Sequence, residues 1–149
     1  MRSVDIMAER WRKEGLVLLP AESESAVRES FAKVESIATL DVISMYAVLG
    51  GMEQMDREYW RLWPLSELVT QNSEKSQHGI LFSDYLADCW SYRLVPNADD
   101  TSSVYVDYFD SKRPILVAGS IDEFFRTYAL DPFRLLEGPY PRASTDGDA

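Results

Sequence analysis

The sequence predicts an α+β fold in which an antiparallel meander of about five short strands packs against helices. Three observations point there. Apolar residues recur at three- and four-residue spacing through the first third of the chain. They alternate at period two in short runs between residues 57 and 119, with turn-forming residues between the runs. Helical spacing then returns at 121–130. At 149 residues and 17.0 kDa the chain suits a single domain, which we place at 1–137, followed by a flexible C-terminal tail at 138–149 that has no periodicity.

The elements follow in order. Residues 3–14 carry Val4, Met7 or Ala8, and Trp11 on one stripe, and Gly15 stops the helix. LVLLP, at 16–20, is a short extended piece. A second helix follows within 21–35, where Ala26, Val27, Phe31 and Val34 form the apolar stripe. Leu40, Ile43, Tyr46 or Ala47, and Leu49 mark a third, with the pair Gly50 and Gly51 supplying the left-handed residue that commonly ends a helix. In REYWRLWPLSELV, at 57–69, period two gives way to period 3.6. Tyr59, Arg61 and Trp63 share one face of an extended segment and Trp60 and Leu62 the other, whereas Leu65, Leu68 and Val69 are helically spaced after Pro64, a good first-turn residue.

Residues 70–79 are polar and turn-rich. Two strands near 79–84 and 88–95, separated by a bend or bulge, lead to a turn at 96–103. VYVDYFD at 104–110 alternates, DSKRP is a hairpin loop, and ILVAG at 115–119 is the last strand. Ser120 and Glu123 form a capping box for a helix at 121–130 with Ile121, Phe124, Phe125 and Tyr128 apolar, and Pro132 ends it.

Composition narrows the function classes. Twenty-five Asp and Glu against 15 Lys and Arg give a formal net charge of -10, so a phosphate backbone is repelled and a basic protein partner attracted. We therefore expect no nucleic acid. The single cysteine, Cys89, excludes an internal disulfide, and with His78 as the only histidine there is no zinc pattern. Neither a cofactor motif nor a bilayer-spanning apolar run is present, and the charged N-terminus is unlike a signal peptide, so a cytoplasmic protein without membrane contact is expected.

Few residues offer chemistry. Gly50-Gly51 lacks a phosphate-loop context, Cys89 has no basic neighbour to activate it, and His78 lies in a polar loop. Asp84 and Asp88 would share a face in a helix or a continuous strand, so a carboxylate pair for acid/base work is conceivable, the simpler reading being turn aspartates bonded to local backbone. Between Ala98 and Asp110 stand Asp99, Asp100, Asp107 and Asp110 with no basic residue, which, with Asp84 and Asp88 on a neighbouring strand, suggests one acidic field or else a solvated face. Aromatic residues, among them Tyr59, Trp63, Trp90, Tyr105 and Phe109, fall on both faces of the strands. Only one face can pack on helices, so the other needs a second cover or a partner.

The order of elements resembles the SMI1/KNR4 (SUKH) superfamily. The matching pieces are Gly50-Gly51 after a helix, the strand into WPLSELV with Trp60, Trp63, Leu65 and Leu68, GILFSDYLAD at 79–88, VYVDYFD, and SIDEFF at 120–125, within roughly residues 16–130. The first helix and the tail lie outside it. Leu49 stands where the family often has Asn before the glycine pair, so no role of that polar residue carries over. The resemblance implies a central, mainly antiparallel sheet flanked by helices, no catalytic residues, and protein binding as the activity. Many bacterial members are immunity proteins that neutralise toxins, often nucleases, and fungal members are regulatory.

The expectation is thus a non-enzymatic binding module for a basic toxin domain. Its candidate contact residues are Tyr59, Arg61, Trp63, Asp84, Asp88, Trp90, Asp99, Asp100, Asp107 and Asp110. The alternatives are a regulatory or small-ligand-sensing domain and a small hydrolase using Asp84 and Asp88.

Overall fold

The computed structural model describes residues 2–86 and 89–136. Asp88 and the expected tail at 138–149 therefore lie outside the described residues. The fold is α+β: helices α1 (Ser3–Lys13), α2 (Glu24–Lys33) and α3 (Leu40–Tyr46) precede strand β1 (Trp60–Leu62) and helix α4 (Leu65–Gln71). Strands β2 (Ile80–Tyr85), β3 (Trp90–Pro96), β4 (Ser102–Asp107) and β5 (Ile115–Ala118) follow, then helix α5 (Ile121–Leu130) and a 3-10 turn, Pro132–Leu136. The strands form one antiparallel meander in the order β1-β2-β3-β4-β5.

Register divides the side chains between two faces, because cross-strand partners project the same way. One face holds Trp60, Tyr85 and Trp90 in a row, Leu62, Ser83, Tyr92, Val106 and Ile115 in the next, and Ile80, Leu94, Val104 and Ala118 beyond. This face packs on α5. Phe124 meets Trp60, Phe82 and Tyr92, and Trp11 of α1 stacks on Trp60 at 5.6 Å and touches Phe125 and Tyr128 edge-on. The Ser3 amide donates to the Asp122 carboxylate (3.0 Å) and the Arg10 guanidinium to the Ala129 carbonyl (3.2 Å), so α1 and α5 run parallel, side by side. The first helix, outside the family resemblance, is thus part of the core. The opposite face carries Arg61, Asp84, Ser91 and Asp107 in one row and Leu81, Arg93, Tyr105 and Leu116 in another.

Local signals place the helix ends. Ser23 Oγ accepts from the Ala26 amide to open α2, and Ser120 Oγ accepts from the Glu123 amide to open α5, with the Glu123 carboxylate reaching back to the Gly119 amide. Gly15, at φ 87, turns the chain out of α1. Pro64 stands one position earlier than expected, as the cap before α4.

Two expectations are corrected. The α3 helix stops at Tyr46, and Gly50-Gly51 is a crossing point instead of its cap. The 16–20 segment pairs with it through Leu19 N–H to Gly51 O (2.9 Å) and Gly50 N–H to Leu19 O (3.0 Å), and a Cβ on Gly50 would lie 2.0 Å from the Pro20 carbonyl oxygen. Second, β2 and β3 form a hairpin, and the bulge falls inside β2 between Leu81 and Ser83, where the additional residue, Phe82, turns into the core.

Candidate functional site

The segment 57–69 begins at a buried carboxylate. Asp56, only 5% exposed, accepts four hydrogen bonds: from Trp11 Nε1 (2.8 Å), the Tyr128 hydroxyl, and the amides of Glu58 (2.9 Å) and Trp60 (3.1 Å). Burial, and then the neighbouring Asp56 charge, push the Tyr128 hydroxyl far above its ordinary range, so it remains a donor. These bonds fix the turn that carries Tyr59, itself in the left-handed region at φ 64. Nothing in the local sequence singles Asp56 out. Its side-chain partners come from α1 and α5, 45 and 72 residues away.

Trp60 and Leu62 enter the core as their shared face requires. Trp63 does too, against the face assigned to it, and is 1% exposed. The reason is that β1 ends at Leu62. The chain bends there, Trp63 N–H bonds to Phe82 O (3.0 Å) and Trp63 O accepts from the Tyr46 hydroxyl (2.9 Å). Of the expected face, Tyr59 alone is open, at 53% exposure. Arg61 is partly buried and held by Glu67, the Met52 carbonyl (3.3 Å) and Asp84 (3.6 Å).

The fold also breaks up the expected acidic field. Asp84 is 2% exposed and lies beside Arg61, and Asp107 is buried against Arg93 at 2.7 Å. Arg93 further donates to Gly79 O (2.7 Å), and Asp107 accepts from the Phe109 amide (2.8 Å). These are ion pairs inside the polar sheet face, where they hold register between strands and are not a surface charge. Within the sequence run that has no basic residue, Asp107 is supplied with Arg93 from the neighbouring strand β3. The carboxylate pair that the hydrolase reading needs is described only at Asp84, which is buried beside Arg61, because Asp88 lies outside the described residues.

The remaining carboxylates are exposed but sit at opposite ends of β4. Asp99 and Asp100 occupy the β3–β4 turn, where the Thr101 hydroxyl (2.6 Å) and amide (3.2 Å) hold the Asp99 carboxyl below its ordinary range. Asp100 Oδ1 accepts from the Leu40 amide (3.1 Å), which brings the exposed Leu40 beside this turn. Asp110 lies beyond the other end of β4, accepting from the Lys112 amide. A six-residue strand separates the two turns by roughly 20 Å.

Asp110's end of the sheet gathers the aromatic residues. Tyr85 stacks on Trp90 at 5.3 Å and 11°, and Trp90 meets Tyr108 edge-on at 5.3 Å. All three are partly exposed, flanked by exposed Phe109 and, through the Leu86 amide on Tyr59 O (2.9 Å), by Tyr59. Of the sequence candidates this end joins Tyr59, Trp90 and Asp110, and it excludes Trp63, Asp99 and Asp100. Tyr85, Tyr108 and Phe109 were missing from the candidate contacts, although the position of Tyr85 opposite Trp90 follows directly from hairpin pairing once the register is known.

Among the described residues no group of three His, Cys, Asp or Glu side chains is placed to hold a metal ion, and no helix is long and apolar enough to cross a membrane. No family model matches the chain, and no curated relative matches it.

Proposed function

We propose that the chain is a non-catalytic protein-binding module of the SMI1/KNR4 type that acts in the cytoplasm and neutralises a basic toxin domain. The observation that carries the reading is the aromatic end of the sheet: Tyr85, Trp90 and Tyr108 in contact, with Tyr59, Phe109 and Asp110 exposed around them. Tyrosine and tryptophan dominate binding hot spots because they bury large areas at small entropic cost, and rigid stacking lowers that cost further. A net charge of -10 steers a basic partner towards the protein, and a nuclease is basic where it grips phosphate. The ordered resemblance over roughly residues 16–130 supports the immunity assignment.

The test is co-expression with a basic toxin domain encoded beside this chain, scored by survival and by complex formation. Trp90→Ala combined with Tyr59→Ala abolishes protection on this reading, while Asp99→Asn, at the far end, preserves it. Full protection by the double variant would move the interface elsewhere, and failure of the wild-type chain to bind the toxin would reject the immunity assignment. An association rate unaffected by salt would remove the electrostatic component.

A further inference from the structure

A cleft of about 270 Å³ opens on the polar face of the sheet, lined by Gln77, His78, Val95, Tyr105, Arg113 and Pro114. Its floor is set by register. Tyr105 pairs with Arg93 and Val95 with Ser103, so both project from the face opposite the helices. The walls come from the loops before β2 and before β5. No carboxylate lines the cleft, in a chain whose net charge is -10. Arg93 nearby is neutralised by Asp107 at 2.7 Å, which leaves the exposed Arg113 as the cleft's full positive charge. Among the described residues the Arg113 guanidinium and the Tyr105 hydroxyl make no hydrogen bond or ion pair. The cleft thus combines an aromatic and aliphatic floor with donors at Arg113, His78 and Gln77.

We propose that this cleft binds a small organic anion with a flat body, of the size of a single ring bearing a phosphate or carboxylate. The anion pairs with Arg113 and the ring lies on Tyr105 between Val95 and Pro114. A guanidinium offers a planar, two-point match to such a group. The volume lies just below the usual range for drug-sized ligands, roughly 300–1,000 Å³, which limits the occupant to one ring. The cleft shares its β4–β5 loop with the aromatic end of the sheet but none of that end's side chains, so small-anion binding stands or falls independently of partner binding.

Titration of the full chain with phenyl phosphate, followed by amide chemical shifts and calorimetry, tests it, with inorganic phosphate and phenol as single-feature arms. Saturable binding is expected, tighter for phenyl phosphate than for either arm, with shifts centred on His78, Tyr105 and Arg113. Arg113→Gln is expected to weaken it by about tenfold or more, as for loss of a charged hydrogen bond, and Tyr105→Leu by several-fold. Both positions lie outside the main core, and unchanged thermal midpoints would show that the variants are folded. The proposal is overturned by absence of saturation up to about 10 mM, by binding that survives Arg113→Gln, or by equal affinity for inorganic phosphate and phenyl phosphate.

Discussion

Replacing Asp56 by Asn tests the claim that one buried carboxylate ties α1, α5 and the turn before β1 together. The substitution keeps volume and shape, so packing around it is unchanged. What changes is hydrogen-bonding capacity. Asp56 Oδ2 accepts from Trp11 Nε1 and the Tyr128 hydroxyl, and Oδ1 accepts from the Glu58 and Trp60 amides, so each oxygen faces two donors. An Asn amide must set its NH2 against one of these pairs. The hydroxyl of Tyr128 can rotate, but an indole or backbone N–H cannot become an acceptor. With the NH2 set on the side of the rotatable hydroxyl, the bond from the Trp11 indole to a charged acceptor is lost, worth about 1.5–3 kcal/mol, and the other three weaken to neutral strength, for a total near 4 kcal/mol. For a chain of this size that corresponds to a fall of roughly 10 °C in the thermal midpoint. Urea denaturation with the slope held common to both proteins measures it, with Asp110→Asn as an exposed control expected to change stability by under about 0.5 kcal/mol. An Asp56→Asn chain within about 1 kcal/mol of wild type would refute the reasoning.

Three further outcomes follow from the same core. Trp11→Phe is expected to cost about 2 kcal/mol more than Trp63→Phe in denaturant unfolding, because the Trp11 indole donates to Asp56 at 2.8 Å whereas the Trp63 indole N–H has no partner among the described residues. Burial raises the hydroxyls of Tyr46, Tyr92 and Tyr128 well above the ordinary value of 10.0, so their stabilising contribution is whole below pH 10 and is lost as pH rises beyond it. Stability measured against pH should fall by about 4 kcal/mol per unit above that point, and Tyr92→Phe should reduce the slope by about a third. Gly50→Ala, whose new Cβ would press on the Pro20 carbonyl, is expected to destabilise by about 2–4 kcal/mol, with the crossing of the 16–20 segment loosened in hydrogen exchange.

How much of this was legible in the sequence depends on the range of the interaction involved. Helices α1, α2 and α5 and strands β2 to β5 follow from apolar spacing and caps within about ten residues of one another, and those signals are local. The glycine pair misled because a missing Cβ serves a helix end and a close backbone crossing equally well, and only the segment at 16–20, which passes against Gly50, distinguishes them. Trp63 misled because period two applies only while the strand continues, and β1 ends one residue before it. Asp56 gave no signal at all. Its role exists only once α1 and α5 lie parallel and present Trp11 and Tyr128 to the same point.

The acidic field shows why a count of charges along a chain is a poor guide to a binding surface. Asp84 and Asp107 look uncompensated in sequence, yet the antiparallel register puts both in the row headed by Arg61, with Arg93 in the adjacent row reaching across to Asp107. Charges paired in this way cost desolvation and gain little net stability, but removing one partner strands the other, so they penalise any slipped register. Neutralised there, they contribute little to the field that a partner meets. That field comes from the remaining acidic surface, while directional contact must come from side chains that are both exposed and held still. At the aromatic end the stacked Tyr85 and Trp90, and the Tyr108 ring edge-on to Trp90, satisfy both conditions. Long-range charge and short-range anchoring are therefore separable on this protein. Neutralising Asp99 and Asp100 together should slow association with a basic partner several-fold at low salt and leave dissociation unchanged, whereas Trp90→Ala should accelerate dissociation at every salt concentration. Stopped-flow association and surface-bound dissociation measurements separate the two, and a Trp90→Ala complex that dissociates at the wild-type rate would refute the assignment of anchoring to the aromatic end.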